Sequence, residues 1–157
     1  MIGYLSVDEI NEKHVGGIIV VDDRGIPLEF KYTKPVQPTE LQRIIYGKAL
    51  EDYLHVEIIA KSLLSKLENK PGVILTDDVK LVEAGEGIFH VSKTTEGEKR
   101  GEGEYVIASA GINYRLVGNG SISDEVLEEL KVFSERIDLL EPFQRLHRAL
   151  EYVCSST

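Results

Sequence analysis

Apolar residues recur in steps of three and four between positions 39 and 67. They are Leu41, Ile44, Ile45, Ala49, Tyr53, Val56, Ile59, Ala60, Leu63 and Leu67. This spacing predicts one long amphipathic helix, with Leu50, Leu54 and Ile58 widening its apolar stripe. Thr39 is the expected N-cap, and Gln42, three residues on, is its capping-box partner. Lys34-Pro35-Val36-Gln37-Pro38 forms an extended entry, and Asn69-Lys70-Pro71-Gly72 stops the element. Gly47 interrupts the helix at a cost of about 1 kcal/mol relative to alanine. It is either simply tolerated or a point of close backbone approach.

Before the helix the pattern changes to strand. Residues 14–21 are apolar and β-branched, Asp22-Asp23-Arg24-Gly25 is a turn, and Ile26, Leu28, Phe30 and Tyr32 alternate with polar positions. This is a β-hairpin with one buried face, and Pro27 calls for a bulge or an unpaired position. Residues 3–7 read as a short strand and 8–13 as a short helical turn. After the helix, Val73-Ile74-Leu75 is a buried strand, and Thr76-Asp77-Asp78 caps a short helix over 79–84. Residues 87–94 form a strand, and 95–104 form a solvated, glycine- and charge-rich loop. The next strands are 105–110 and 112–117, bent at Gly111. Ser121 and Ser123 compete to cap a helix carrying Val126, Leu127, Leu130, Phe133, Ile137 and Leu140. Pro142 begins a second helix lined by Phe143, Leu146, Leu150 and Val153.

The expected fold class is therefore α+β. It is two-layered, with a mostly antiparallel sheet covered on one face by the long central helix and the C-terminal helices. Residues 1–157 form a single domain. The hairpin Gly16-Gly17-Ile18-Ile19-Val20-Val21-Asp22-Asp23-Arg24-Gly25-Ile26-Pro27-Leu28-Glu29, followed by a helix, resembles the core of roadblock or profilin-like regulatory domains. That resemblance covers about the middle half of the chain and implies a regulatory role.

Composition narrows the classes. Eighteen basic and 27 acidic residues give a net charge of −9, which argues against a nucleic-acid surface because phosphates repel carboxylates. The single cysteine, Cys154, excludes an intramolecular disulfide. Neither a leader pattern nor an apolar run of membrane-spanning length is expected, and a cytoplasmic location fits. Few Asn, Gln, Cys and Met beside many Glu and Lys suggest a thermophile.

The densest polar stretch spans 29–46. Glu29, Lys31, Tyr32, Lys34, Gln37, Thr39, Gln42, Arg43 and Tyr46 surround a helix start, where free N–H groups and the helix dipole favour an anion. Glu29, Tyr32, Lys34, Thr39, Gln42, Arg43 and Tyr46 are the candidate ligand-binding set. The competing reading is that the prolines only set the strand-to-helix turn and that Lys34 and Arg43 are solvated.

His55 and Glu51 are one helical turn apart, too few for a metal site. Asp77 and Asp78 are either catalytic carboxylates at a strand end or helix caps. Gly118-Asn119-Gly120-Ser121 lacks the lysine of a phosphate loop. Arg145, His147 and Arg148 form a small basic face that pairs with acidic neighbours. No catalytic motif appears.

The sequence thus reads as a non-catalytic interaction or regulatory module that self-associates. It would have a second copy or another protein as partner, and no cofactor, metal, nucleic acid or membrane. The alternative is a protein that binds a small anionic ligand, or an enzyme, using the 29–46 corner.

Overall fold

The computed structural model describes residues 1–156. Eight strands form one mixed sheet. They are β1 (Ile2–Ile10), β2 (Lys13–Val21), β3 (Pro27–Tyr32), β4 (Val73–Thr76), β5 (Ile88–Thr94), β6 (Lys99–Gly101), β7 (Glu104–Ser109) and β8 (Ile112–Gly118), in the order β3-β2-β1-β4-β5-β8-β7-β6. The hairpin arms are antiparallel, whereas β1–β4 and β4–β5 are parallel. The α+β expectation holds at this level, with a large mixed sheet in place of a mostly antiparallel one.

The largest departure lies at the N-terminus. The expected strand with a helical turn after it is instead one nine-residue strand, β1, and it sits at the centre of the sheet. Its first six residues are all buried. A strand covered on both faces shows no alternation, so the pattern that marks half-buried strands is missing. Asn11 and Glu12 make the tight turn into β2 with φ of 51° and 66°, a left-handed conformation usually signalled by glycine. The second hairpin forms, with its register shifted at Val20/Val21, opposite Pro27, but the buried face expected of its second strand is corrected: β3 is an edge strand, and Ile26, Leu28 and Tyr32 are 46%, 47% and 51% exposed.

The helical region over 40–66 is continuous but irregular. It comprises α1 (Glu40–Tyr46), a 3-10 turn (Gly47–Ala49), the single turn α2 (Leu50–Asp52), a π-helical stretch (Tyr53–Ala60) and α3 (Lys61–Lys66). Thr39 and Gln42 form the predicted capping box. The apolar stripe is not covered along its whole length. Leu54, Val56, Ile59, Ala60 and Leu63 are buried, but α1 buries nothing, and Leu41, Ile44 and Ile45 are each more than 60% exposed. Gly47 has φ of 55° and open space where a side chain would stand, so it is needed for its backbone and not for packing. The close approach occurs at Gly16 of β2, where a Cβ would overlap the Ile59 side chain and crowd Leu63 and Val7.

The two remaining helices are α4 (Asp124–Arg136), capped by Ser123, and α5 (Glu141–Ser155), with Pro142 in its first turn. The core has two parts. Leu5, Val7 and Ile18 pack on Val56, Ile59 and Leu63, while Ile2, Tyr4 and Ile19 pack with Phe133, Phe143, Leu146 and Leu150. Odd and even positions of β1 point to opposite faces, so helices cover both faces and the one-face expectation is corrected. The segment over 95–104, expected as loop, contains the short edge strand β6, paired with β7.

Candidate active site

Strand order decides what meets what. β1 and β4 lie side by side and parallel, with Leu5 opposite Thr76. Asp77, just past the end of β4, therefore comes to the C-terminal half of β1. In open sheets with parallel strands this edge is where sites form. Ser6 Oγ donates to Asp77 Oδ1 at 2.8 Å. Asp8, two residues beyond Ser6, points to the same face, toward α5.

His147 of α5 closes the arrangement. It follows Leu146 and lies one turn after Phe143, both anchored in the core, so its ring is delivered to the strand ends by packing. Its Nδ1 is 2.8 Å from Asp8 Oδ2, and its Nε2 is 2.6 Å from Asp77 Oδ2. One imidazole thus bridges two carboxylates that are far apart in the chain. The hydrogen bonds to Asp77 and Asp8 push its pKa up to about 10 against the cost of burial, so it is an imidazolium at neutral pH. For Asp77, burial opposes ionisation, but the hydrogen bonds from His147 and Ser6 outweigh it and hold the carboxyl below its ordinary value.

These groups line an open cleft of about 440 Å³ together with Asp78 and His90. Asp78 does what the capping reading expected, accepting from the Lys80 N–H and pairing with the Lys80 ammonium at 3.1 Å. The two adjacent aspartates thus face different partners, Asp78 the helix start and Asp77 the Ser6 hydroxyl and the His147 ring.

In three dimensions this chain is similar to endonuclease V. It aligns with the crystal structure of the Bacillus subtilis enzyme at a TM-score of 0.56 and 14% identity, over 99% of this chain and 82% of that one. It aligns with a Ciona intestinalis Endonuclease V variant, in complex with a 23mer DNA containing an inosine followed by a ribo-adenosine, at a TM-score of 0.53 and 11% identity. That alignment covers 97% of this chain and 86% of that one. No protein-family model matches the chain, and no curated protein matches it in sequence.

The likeness corrects three expectations. The roadblock-like or profilin-like resemblance gives way to an endonuclease V-like fold. The reading of a self-associating, non-catalytic module gives way as well, since both neighbours are endonucleases. So does the exclusion of nucleic acid, since one neighbour is bound to DNA. The physical error was to read a net charge as a local one. A charge of −9 is a sum over the whole chain and does not fix the charge of any one part of its surface.

The residues of the 29–46 stretch are distributed among separate places. Glu29 accepts from the Glu68 and Asn69 N–H groups and from Asn69 Nδ2, holding the end of α3 to β3. These backbone hydrogen bonds lower its pKa. Tyr32 stacks on Phe30 with centroids 5.3 Å apart, and with Lys34 it borders a cleft floored by Val36, Ile58 and Ile59. Thr39 and Gln42 cap α1. Arg43 borders a different cleft with Glu9, His14 and Lys48, and Tyr46 packs on Tyr53.

His55 does not pair with Glu51. It is 3% exposed, and its Nε2 lies 2.8 Å from His14 Nδ1. Burial lowers its pKa, assisted by nearby Lys80. Gly118 is glycine because a Cβ there would overlap the Ile88 carbonyl, which is a packing reason and not a phosphate-binding one.

Proposed function

We propose that this protein is a nuclease that hydrolyses phosphodiester bonds in nucleic acid at Asp8, Asp77 and His147. The observation carrying this reading is the single imidazolium held between two carboxylates at the ends of adjacent parallel strands. The endonuclease V-like fold supports it. A cytoplasmic protein acting as one domain over residues 1–157 is part of the same reading.

The donor set fits a hard divalent cation such as Mg²⁺. Two carboxylates converge within reach of one ring in an open cleft, and among the described residues no third metal-binding side chain joins them. An octahedral ion that keeps most of its waters is bound by such a pair. Asp8 and Asp77 would hold it, and when bound it polarises the phosphate and activates water.

The chain's own groups do the rest. The low pKa of Asp77 keeps it anionic at neutral pH, and Ser6 fixes its orientation. His147 carries a proton on each ring nitrogen, one held by Asp8 and one by Asp77, so its charge fixes the two carboxylates; to protonate a departing oxygen it would first have to release one of these hydrogen bonds. Leu146 and Leu150, fully packed, fix the helix that carries it.

The test uses end-labelled single-stranded DNA, duplex DNA and RNA with Mg²⁺ or Mn²⁺. Wild type cuts at least one of them, and Asp77→Asn cuts it at least about 100-fold more slowly. No cutting of any substrate, or cutting by Asp77→Asn at the wild-type rate, overturns the reading.

A further inference from the structure

His90 differs from the other three histidines of the chain. His14 and His55 are buried against each other, and His147 is held between Asp8 and Asp77. The His90 ring lines the same cleft as Asp8, Asp77 and His147, yet it has no hydrogen-bond or ion-pair partner among the described residues. The buried nitrogens without a partner are His55 Nδ1, Arg115 Nε and Arg145 Nε, so both ring nitrogens of His90 are open to solvent.

Strand lengths bring His90 to the cleft. It pairs with Thr76, the last residue of β4, at a strand spacing of about 4.8 Å, and Asp77 comes next. β1 continues to Ile10 and β5 to Thr94, so the end of β4 leaves a notch between them. Side chains from both faces of the sheet enter this notch. Asp8 points toward α5, whereas Val7, which also lines the cleft, packs on the other face with Ile18 and Ile59. His90 is on the Val7 side, in step with Ile88. The cleft therefore has one imidazole at each face of the sheet.

The other polar side chains of the cleft are committed. Ser6 donates to Asp77, and each nitrogen of His147 meets a carboxylate. Asp78 accepts from the Lys80 N–H and pairs with its ammonium. Of the side chains lining the cleft, His90 is the one with an uncommitted nitrogen to offer a bound group.

We propose that His90 is the catalytic acid of this cleft and gives a proton to the oxygen that departs from phosphorus. The inference rests on the nuclease reading above. Water adds to phosphorus through its oxygen and releases a proton to solvent. The P–O bond to the leaving group breaks, and its electron pair goes to that oxygen. The oxygen takes a proton from the His90 imidazolium, which solvent then reprotonates. A departing alkoxide is a far stronger base than imidazole, so an acid placed here contributes about 100- to 10,000-fold in rate. His147 could do the same only by breaking a bond to Asp8 or Asp77, whereas His90 breaks none.

The experiment compares two forms of the labelled strand that wild type cuts, both with Mn²⁺. One is natural, and the other has sulfur in place of the departing oxygen at the mapped cut. A thiolate leaves without a proton, because thiols ionise at about pH 8.5. His90→Ala and His90→Gln cut the natural strand about 100-fold or more slowly than wild type, and the sulfur strand within about threefold of it. Anisotropy of the uncut strand in chelator reads binding, which both variants keep. Urea unfolding confirms that they fold.

If the variants lose the same factor on both strands, or cut the natural strand at the wild-type rate, His90 is not the acid and the nuclease reading stands. If the loss of rate comes with an equal loss of binding, His90 holds substrate and the proposal is overturned. If wild type cuts no strand, the nuclease reading and the proposal fall together.

Discussion

Replacing His147 with alanine removes the one positive charge between Asp8 and Asp77, and the cost has a characteristic pH dependence. The rise from the ordinary histidine value to about 10 corresponds to about 5 kcal/mol at 1.36 kcal/mol per pH unit. The side chain is 34% exposed, so solvent screening reduces the expected loss to about 1–2 kcal/mol. A histidine with a raised folded pKa stabilises fully below its unfolded value near 6.5 and loses that contribution as pH climbs to its folded value. Urea unfolding in a chelator, at about pH 6 and about pH 10.5, reads the difference between wild type and His147→Ala. The gap is expected at the lower pH and should close at the higher one. No gap at the lower pH, or an equal gap at both, would refute the bridging imidazolium.

Asp77 works in the opposite sense. Its carboxyl is held low, so its contribution is present above the ordinary aspartate value and fades as pH falls through the folded one; Asp77→Asn should remove this acid limb from the stability profile. Gly16→Ala places a Cβ against Ile59 and Leu63 and should cost about 1–3 kcal/mol in thermal or urea unfolding. Tyr4→Phe leaves the buried Leu139 carbonyl without the 2.8 Å hydroxyl donor and should cost about 1 kcal/mol in the same assay. Glu29→Ala should speed amide exchange at Glu68 and Asn69, the two N–H groups it accepts from, while leaving exchange in β1 unchanged.

The features that were legible in the sequence are those with one buried face or a side-chain cap. The Asp22–Gly25 turn, the bulge opposite Pro27, the Thr39/Gln42 box, Ser123 and Pro142 all signal themselves locally. β1 carries no such signal because it is buried on both sides, and reading 8–13 as a helical turn hid Asp8. Asp77 and His147 were each visible as a candidate carboxylate and as a basic residue seeking an acidic neighbour. Their meeting depends on β1 lying beside β4 and on α5 crossing the strand ends, and sequence separations of 70 and 139 residues leave no periodic trace. The helix pattern misled differently. Leu41, Ile44 and Ile45 continue the apolar stripe, but nothing in the described chain covers them.

The most direct measurement is a kinetic cycle on one labelled substrate with wild type, Asp8→Asn, Asp77→Asn and the double variant. If the two carboxylates form one phosphodiester-cleaving centre, each single change lowers the rate by about 1,000-fold and the double change adds little more. Cutting that survives either single change, or losses that multiply in the double variant, would contradict the account.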